Sequence, residues 1–266
     1  MYEFQYHRAS SLADAEGAFS NGDDPRFLAG GQTLIAAMKL RLAAPSDLID
    51  LGGLAELKGV CMDGDNLVVG AMTTHADVAN SAEVQKRIPA LAHLASGIGD
   101  RMVRNQGTMG GSVANNDPAA DYPAAVLGLG ATVLTSQRTI PADAFFTGMY
   151  ETALEPGELI KAVSFPVPAK AGYAKFPNPA SRYALVGVFV SQSAAGVRVA
   201  VTGAGPGVFR SAELEAALTR SFTPDAAGSV AVPSDGLNTD MHAAADYRAH
   251  LISVMAKRAV AQALGG

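Results

Sequence analysis

The run Gly30-Gly31-Gln32-Thr33 constrains this chain most, because of what flanks it. Arg26–Ala29 reads as a short buried strand, and Leu34–Leu42 has helical spacing that ends near Pro45. Ahead of them, Ser10 or Ser11 can cap a helix to about Phe19, with Leu12, Ala15 and Phe19 on one face. Asp47–Leu51 supplies another strand. Helix, strand, glycine turn, helix, strand is a small parallel α/β unit. Glycines at such a turn let the backbone approach a bulky anion, while free N–H groups at the helix start point toward it and Thr33 adds a hydroxyl. The Gly-Lys-Ser/Thr ending of a Walker loop and the Gly-x-Gly-x-x-Gly spacing of the usual dinucleotide loop are both missing. Taken alone, the run is equally well a tight strand-to-helix turn.

A second run shifts that balance. Gly107-Thr108-Met109-Gly110-Gly111-Ser112 leads into Asn115-Asn116-Asp117 and Asp121. Thr108 and Ser112 offer hydroxyls, and Gly110 and Gly111 offer close backbone approach. Asn115, Asn116, Asp117 and Asp121 can bond sugar or ring edges. So many small polar groups make a poor core and a good lining for a polar ligand; the plain alternative is a surface loop.

Between the runs, Val60–Met62 and Asn66–Val69 read as a hairpin around Asp63-Gly64. Helices are expected at His75–Asn80, Ala82–Arg87, Ala90–Ser96 and Tyr122–Leu129, and strands at Ala131–Thr135 and Leu159–Phe165. Pro166-Val167-Pro168 and the residues to Gly172 form a boundary segment. Beyond it, Ala184–Ser193 and Gly196–Val201 read as paired antiparallel strands, and Ser211–Leu218 as a helix. Ala245–Leu264 reads as a long helix with Leu251, Val254, Met255, Ala259 and Leu264 on its apolar face and Arg248, Lys257 and Arg258 polar. Thr219–Asp240 is expected to be a long loop.

Composition narrows the function classes. A net charge of -5 gives none of the basic excess of a nucleic-acid binder. No run approaches a membrane span, and Met1–Arg8 lacks a signal-peptide core, so a cytoplasmic protein is expected. The one cysteine, Cys61, excludes a disulfide framework and any iron–sulfur or thiolate zinc site built from this chain alone. It is expected to be a small buried apolar residue. The five histidines form no pair at i, i+4 spacing and read as ordinary surface or core residues. No metal site and no catalytic acid–base residue is expected.

In order and spacing, several segments resemble one family. They are Ala29-Gly30-Gly31-Gln32-Thr33-Leu34 with Met38-Lys39-Leu40-Arg41, Val103–Ser112, Asn116–Ala124, Lys175-Phe176 with Asn178–Ala184, and Tyr247-Arg248 with His250-Leu251. Across the whole chain the sequence is similar to the FAD-binding medium subunit of the molybdenum hydroxylases (the xanthine dehydrogenase family), of the carbon monoxide dehydrogenase medium-subunit type. Met109 stands where the family usually has a β-branched residue.

The resemblance implies an α+β fold: a PCMH-type FAD-binding domain over 1–168, with subdomains of about 1–57 and 58–168. A smaller α/β domain of the CO dehydrogenase flavoprotein type, with an antiparallel sheet and helices, follows over 169–266. It implies non-covalent FAD, with the pyrophosphate wrapped by Leu28, Ala29, Gly30, Gly31, Gln32, Thr33, Leu34 and Ile35. Thr108, Gly110, Gly111 and Ser112 make a second phosphate and ribityl contact, joined by Asn115 and Asp117. Asp121 bonds the adenosine side, Ile98 and Ile160 pack on the cofactor, and Lys175 approaches the flavin. Partners are implied too: a small subunit with 2Fe-2S clusters and a large subunit with the molybdenum cofactor, as a dimer of heterotrimers. The implied activity is oxidoreductase: electrons pass from the clusters through FAD to an external acceptor. A self-contained flavin oxidase on a related fold is the competing reading. The outer face of the last helix and the small-residue surface loops are candidate docking sites.

Overall fold

The structure, a computed structural model, describes residues 1–265. Its first unit runs β1 (Gln5–Arg8), α1 (Leu12–Asn21), β2 (Pro25–Leu28), α2 (Leu34–Lys39) and β3 (Asp47–Asp50). The strands form a parallel sheet in the order β1-β3-β2. Ser11 caps α1, its hydroxyl accepting the Asp14 N–H. Helix α2 stops short of its periodic pattern. Arg41 adopts φ 60 and the Leu42 N–H turns back to the Ala37 carbonyl, closing the helix end.

The second unit opens with the hairpin β4 (Val60–Asp63) and β5 (Asn66–Gly70). Asp63 pairs with Asn66, so Gly64-Asp65 makes the turn, one residue later than expected, with Gly64 at φ 57. Cys61 is exposed, not buried: β4 is an edge strand, and its alternation turns Cys61 outward. Six helices follow: α3 (His75–Asn80), α4 (Ala82–Arg87), α5 (Pro89–Ser96), α6 (Arg101–Gln106), α7 (Met109–Asn115) and α8 (Tyr122–Gly128). The unit closes with β6 (Thr132–Thr135), β7 (Thr139–Pro141), α9 (Ala142–Phe145), the small hairpin β8 (Phe146–Gly148) and β9 (Glu151–Thr152), and β10 (Ile160–Pro166). Its antiparallel sheet has the order β4-β5-β10-β6-β7. Leu67, Val69, Val133, Val163 and Phe165 of the sheet pack with Leu91, Val113 and Tyr122 of the helices.

The third unit is a four-stranded antiparallel sheet, β11 (Lys170–Pro177), β12 (Ala184–Ser193), β13 (Gly196–Thr202) and β14 (Phe209–Arg210), with α10 (Ala212–Arg220), α11 (Pro224–Gly228) and α12 (Ala245–Ala263). Strand β11 begins inside the expected boundary segment, and α11 interrupts the expected loop. Both faces of β12 are covered, which explains the unbroken apolar run from Ala184 to Val190. One face contributes Tyr173, Phe189 and Ala200 to the core of the second unit. The other sets Val186, Val188, Val190, Val199 and Val201 against Leu251, Ile252, Met255 and Ala259. The apolar side of α12 is therefore covered by its own sheet and is not an outer docking face. Arg248 is buried rather than a surface polar residue. Its guanidinium donates to the carbonyls of Leu185 and Gly203 and pairs with Asp240 at 2.7 Å. Among the described residues no helix is long and apolar enough to cross a membrane.

Candidate functional site

A cavity of about 740 Å³ lies where the three units meet. That volume falls in the range of small-molecule and cofactor pockets. The first unit supplies the β2–α2 connection, the second supplies α6, α7 and the start of β10, and the third supplies Ser181, Arg182 and Tyr183.

The connection after β2 is held open by contact, not by its own turn. A Cβ on Gly30 would run into the Gln106 carbonyl and the Gly107 Cα, so only glycine lets the two runs meet. Gly31 adopts φ 71, which turns the chain into α2. Among the described residues, no intrachain acceptor takes the N–H groups of Gly30, Gly31, Gln32, Thr33 or Leu34. Ile35 is the first to bond, to the Gly31 carbonyl at 3.1 Å. Five consecutive donors beside a cavity form an anion-binding concavity.

The second run is built differently. Met109–Asn115 is helix, not loop, with the Thr108 hydroxyl capping it by accepting the Gly111 N–H. Thr73 and Ala71 carbonyls accept the N–H groups of Met109 and Gly110 at 3.0 and 2.8 Å, and Ser112 N–H bonds the Thr108 carbonyl. A Cβ on Gly110 would strike Ala71. The amides from Met109 to Ser112 are thus engaged within the chain. Beside its glycines, this run borders the cavity with the polar residues Ser112, Asn115 and Asp117 rather than with a row of free amides. Asn116 does not line the cavity. At φ 44 it is buried, and its side-chain amide donates to the carbonyls of Gly148 and Glu151.

Asp121 lines the cavity beneath Ala120, buried and doubly bonded. The Tyr173 hydroxyl donates to it, and the Lys175 ammonium sits 2.9 Å from its Oδ1. Burial pushes the Asp121 carboxyl above its ordinary range, and Lys175 opposes that rise. The segment before it is clamped by the third unit: Thr202 donates to the Ala120 carbonyl at 2.6 Å, and Gly203 N–H to Pro118.

Sixteen of the eighteen residues singled out in the sequence border this cavity: Leu28 to Leu34, Ile98, Thr108, Gly110, Gly111, Ser112, Asn115, Asp117, Asp121 and Ile160. Ile35 and Lys175 do not. The Lys175 ammonium lies behind the wall, bonded to the Gly97 and Arg182 carbonyls at 2.9 and 3.1 Å as well as to Asp121.

Sequence reasoning gave no role to several other lining residues, and four of them bear on the site's chemistry. Arg182 and Tyr183 carried no assigned role; Arg182 adopts φ 63 and presents the half-exposed Tyr183 ring. Glu158 is buried. Burial favours its neutral form, yet hydrogen bonds from Arg138, the Glu155 N–H and Thr135 outweigh this and hold its pKa at about 2. His75 had read as an ordinary histidine. Its ring is buried against the Tyr122 ring at 5.4 Å, and its backbone N–H donates to the Gly107 carbonyl. Burial, helped by the Arg104 charge, lowers its pKa to about 4, so the ring is neutral. Its contacts depend on the pairing of Ala71–His75 with Gly107–Gly110, which no local pattern announces.

Known proteins share this architecture. Residues 2–168 match the family described as the FAD binding domain in molybdopterin dehydrogenase. The carbon monoxide dehydrogenase medium chain of Hydrogenophaga pseudoflava is 35% identical over 97% of this chain and 96% of its own length. The nicotine 6-hydroxylase medium subunit of Paenarthrobacter nicotinovorans is also 35% identical, with the same coverage of both chains. The structure of quinoline 2-oxidoreductase from Pseudomonas putida 86 superposes with a TM-score of 0.90 at 30% identity, over 99% of this chain and 98% of that one. The chain belongs to the family of FAD-binding domains of molybdopterin dehydrogenases, and along nearly its whole length its relatives include medium subunits of such enzymes.

Proposed function

We propose that this chain is the FAD-binding, electron-transferring subunit of a molybdenum hydroxylase complex. The observation that carries the reading is the set of unpartnered amides on Gly30 to Leu34, all of which border a cavity large enough for a dinucleotide. In it, those amides hold the pyrophosphate. Ser112, Asn115 and Asp117 take sugar hydroxyls, and Ile98, Ile160 and Tyr183 give the ring system apolar contact. Bound there non-covalently, FAD supplies the electron-carrying chemistry, while the protein supplies binding, orientation and a water-poor wall.

Lys175 acts on this account by holding the wall, its three donors taken by Gly97, Arg182 and Asp121, while Asp121 anchors it from the cavity's edge. The lone Cys61 leaves this chain without the thiolates a 2Fe-2S cluster needs; by the likeness to the family, the clusters sit on a small partner subunit and the molybdenum cofactor on a large one. A dimer of heterotrimers in the cytoplasm is the assembly we infer. We also infer a domain division at 168/169, where the chain leaves the sheet of β10 for that of β11.

The test is on the purified complex. Flavin that dithionite reduces, that shows no oxidase turnover in the isolated chain, and that co-purifies with two other chains supports the reading. Substrate turnover by the isolated chain would favour a self-contained flavin oxidase.

A further inference from the structure

Among the described residues, His75 is the one cavity-lining residue whose side chain is deeply buried, polar and without a bonding partner. It is 5% exposed, and its Nδ1 is sealed from solvent with nothing bonded to it. Neither ring nitrogen has a hydrogen-bond partner among the described residues. Nε2 also lacks a partner but is not sealed, so it is the ring nitrogen that a ligand in the cavity can reach. The ring has a fixed orientation. Its Nε2–Cδ2 edge faces Gly107, with Nε2 at 2.5 Å from where a Cβ on that glycine would stand. Gly107 itself borders the cavity and abuts Gly30. The Tyr122 ring packs against the imidazole, 5.4 Å between centroids.

The tautomer follows from this placement. A sealed N–H without an acceptor is rarer in proteins than a bare acceptor. The proton therefore belongs on Nε2, leaving Nδ1 with its lone pair. That turns one neutral N–H donor toward the junction of the two glycine runs, where a ligand oxygen would accept it.

We propose that His75 contacts the cofactor directly, its Nε2–H donating to an oxygen of the ribityl–pyrophosphate stretch of FAD beside Gly107. The inference rests on the FAD reading above and adds to it a side-chain donor, alongside the backbone donors of Gly30–Leu34. The donor's neutrality suits the place: it adds a hydrogen bond to the linker without a fixed charge beside Arg104.

The experiment titrates the FAD-free full chain with FAD, following flavin fluorescence, for wild type, His75→Phe and His75→Gln. Phenylalanine keeps the ring against Tyr122 and removes the donor, and glutamine returns an amide N–H near the Nε2 position. His75→Phe is expected to raise Kd about tenfold, the size of one hydrogen bond to a charged or polar oxygen. The thermal midpoint of the FAD-free chain should stay close to wild type, and His75→Gln should recover part of the affinity. In parallel, the ¹⁵N resonance of Nε2 in the unsubstituted protein should shift when FAD is added, while Nδ1 keeps its unprotonated signature. Wild-type affinity in His75→Phe, or an Nε2 resonance indifferent to FAD, overturns the proposal. So does an affinity loss matched by an equal loss of stability in the FAD-free chain with no ¹⁵N change. If wild type itself fails to bind FAD, the FAD reading falls, an outcome distinct from these.

Discussion

The Lys175 ammonium lies 2.9 Å from the Asp121 carboxylate, with both side chains almost wholly buried. Its two other hydrogen bonds go to the carbonyls of Gly97 and Arg182, so one cation ties α5, α8 and the loop carrying Tyr183 into one wall. The resemblance placed this lysine near the flavin; the structure places it one layer behind the cavity.

Removing one partner of such a pair leaves a buried unpaired charge. Lys175→Met is expected to cost about 3–5 kcal/mol, measured by denaturant unfolding. The double variant Asp121→Asn/Lys175→Met should recover much of that loss. A pH series checks the sign. Without Lys175 the folded-state pKa of Asp121, already raised by burial, rises further above its unfolded value. The native state then binds more protons than the unfolded one, so the deficit shrinks in acid and grows as pH rises through the folded pKa. A deficit independent of pH would contradict this.

The two glycine runs touch at Gly30, so a methyl there acts on both. Gly30→Ala should displace the Gln106–Gly107 peptide and lower FAD affinity at least tenfold, read by flavin titration. Gly111→Val meets the Thr108 hydroxyl at 2.8 Å and Ala29 at 3.3 Å. It should therefore lose the α7 cap, worth about 1 kcal/mol, together with FAD. Unchanged flavin occupancy in both variants would remove the amide cradle from the account.

Acid should act through His75. Burial, with Arg104, lowers its folded-state pKa to about 4, below the ordinary value of 6.5, so the fold favours the neutral ring. The resulting stability is complete above pH 6.5 and is lost as pH falls toward 4. Over that window wild type should lose up to about 1.4 kcal/mol per pH unit relative to His75→Phe, in which nothing titrates at this position. Parallel pH profiles for the two proteins would show that the ring is not held neutral.

The first unit was legible because its signals are local. Ser11 capped α1, and the apolar strand before Gly30 and the helical spacing after Gly31 fixed the turn. The cavity lining was legible where the glycine runs and Asp117–Asp121 announce it. What was hidden depended on distant partners. Gly110 and Gly111 look like loop residues, yet the Thr108 cap and the carbonyls of Ala71 and Thr73 make them the first turn of α7. Cys61 is apolar enough to bury, and only the edge position of β4 turns it outward. Arg248 looks like a surface cation until the carbonyls of Leu185 and Gly203 surround it. Lys170–Gly172 looks like the end of a linker because its proline-rich approach masks the start of a strand defined by pairing with β12.

The most direct test of the central claim is the flavin content of the purified chain. The account predicts a yellow protein, as isolated or after reconstitution, holding one FAD per chain, all of it released on denaturation. A colourless chain that cannot be reconstituted with FAD would contradict it.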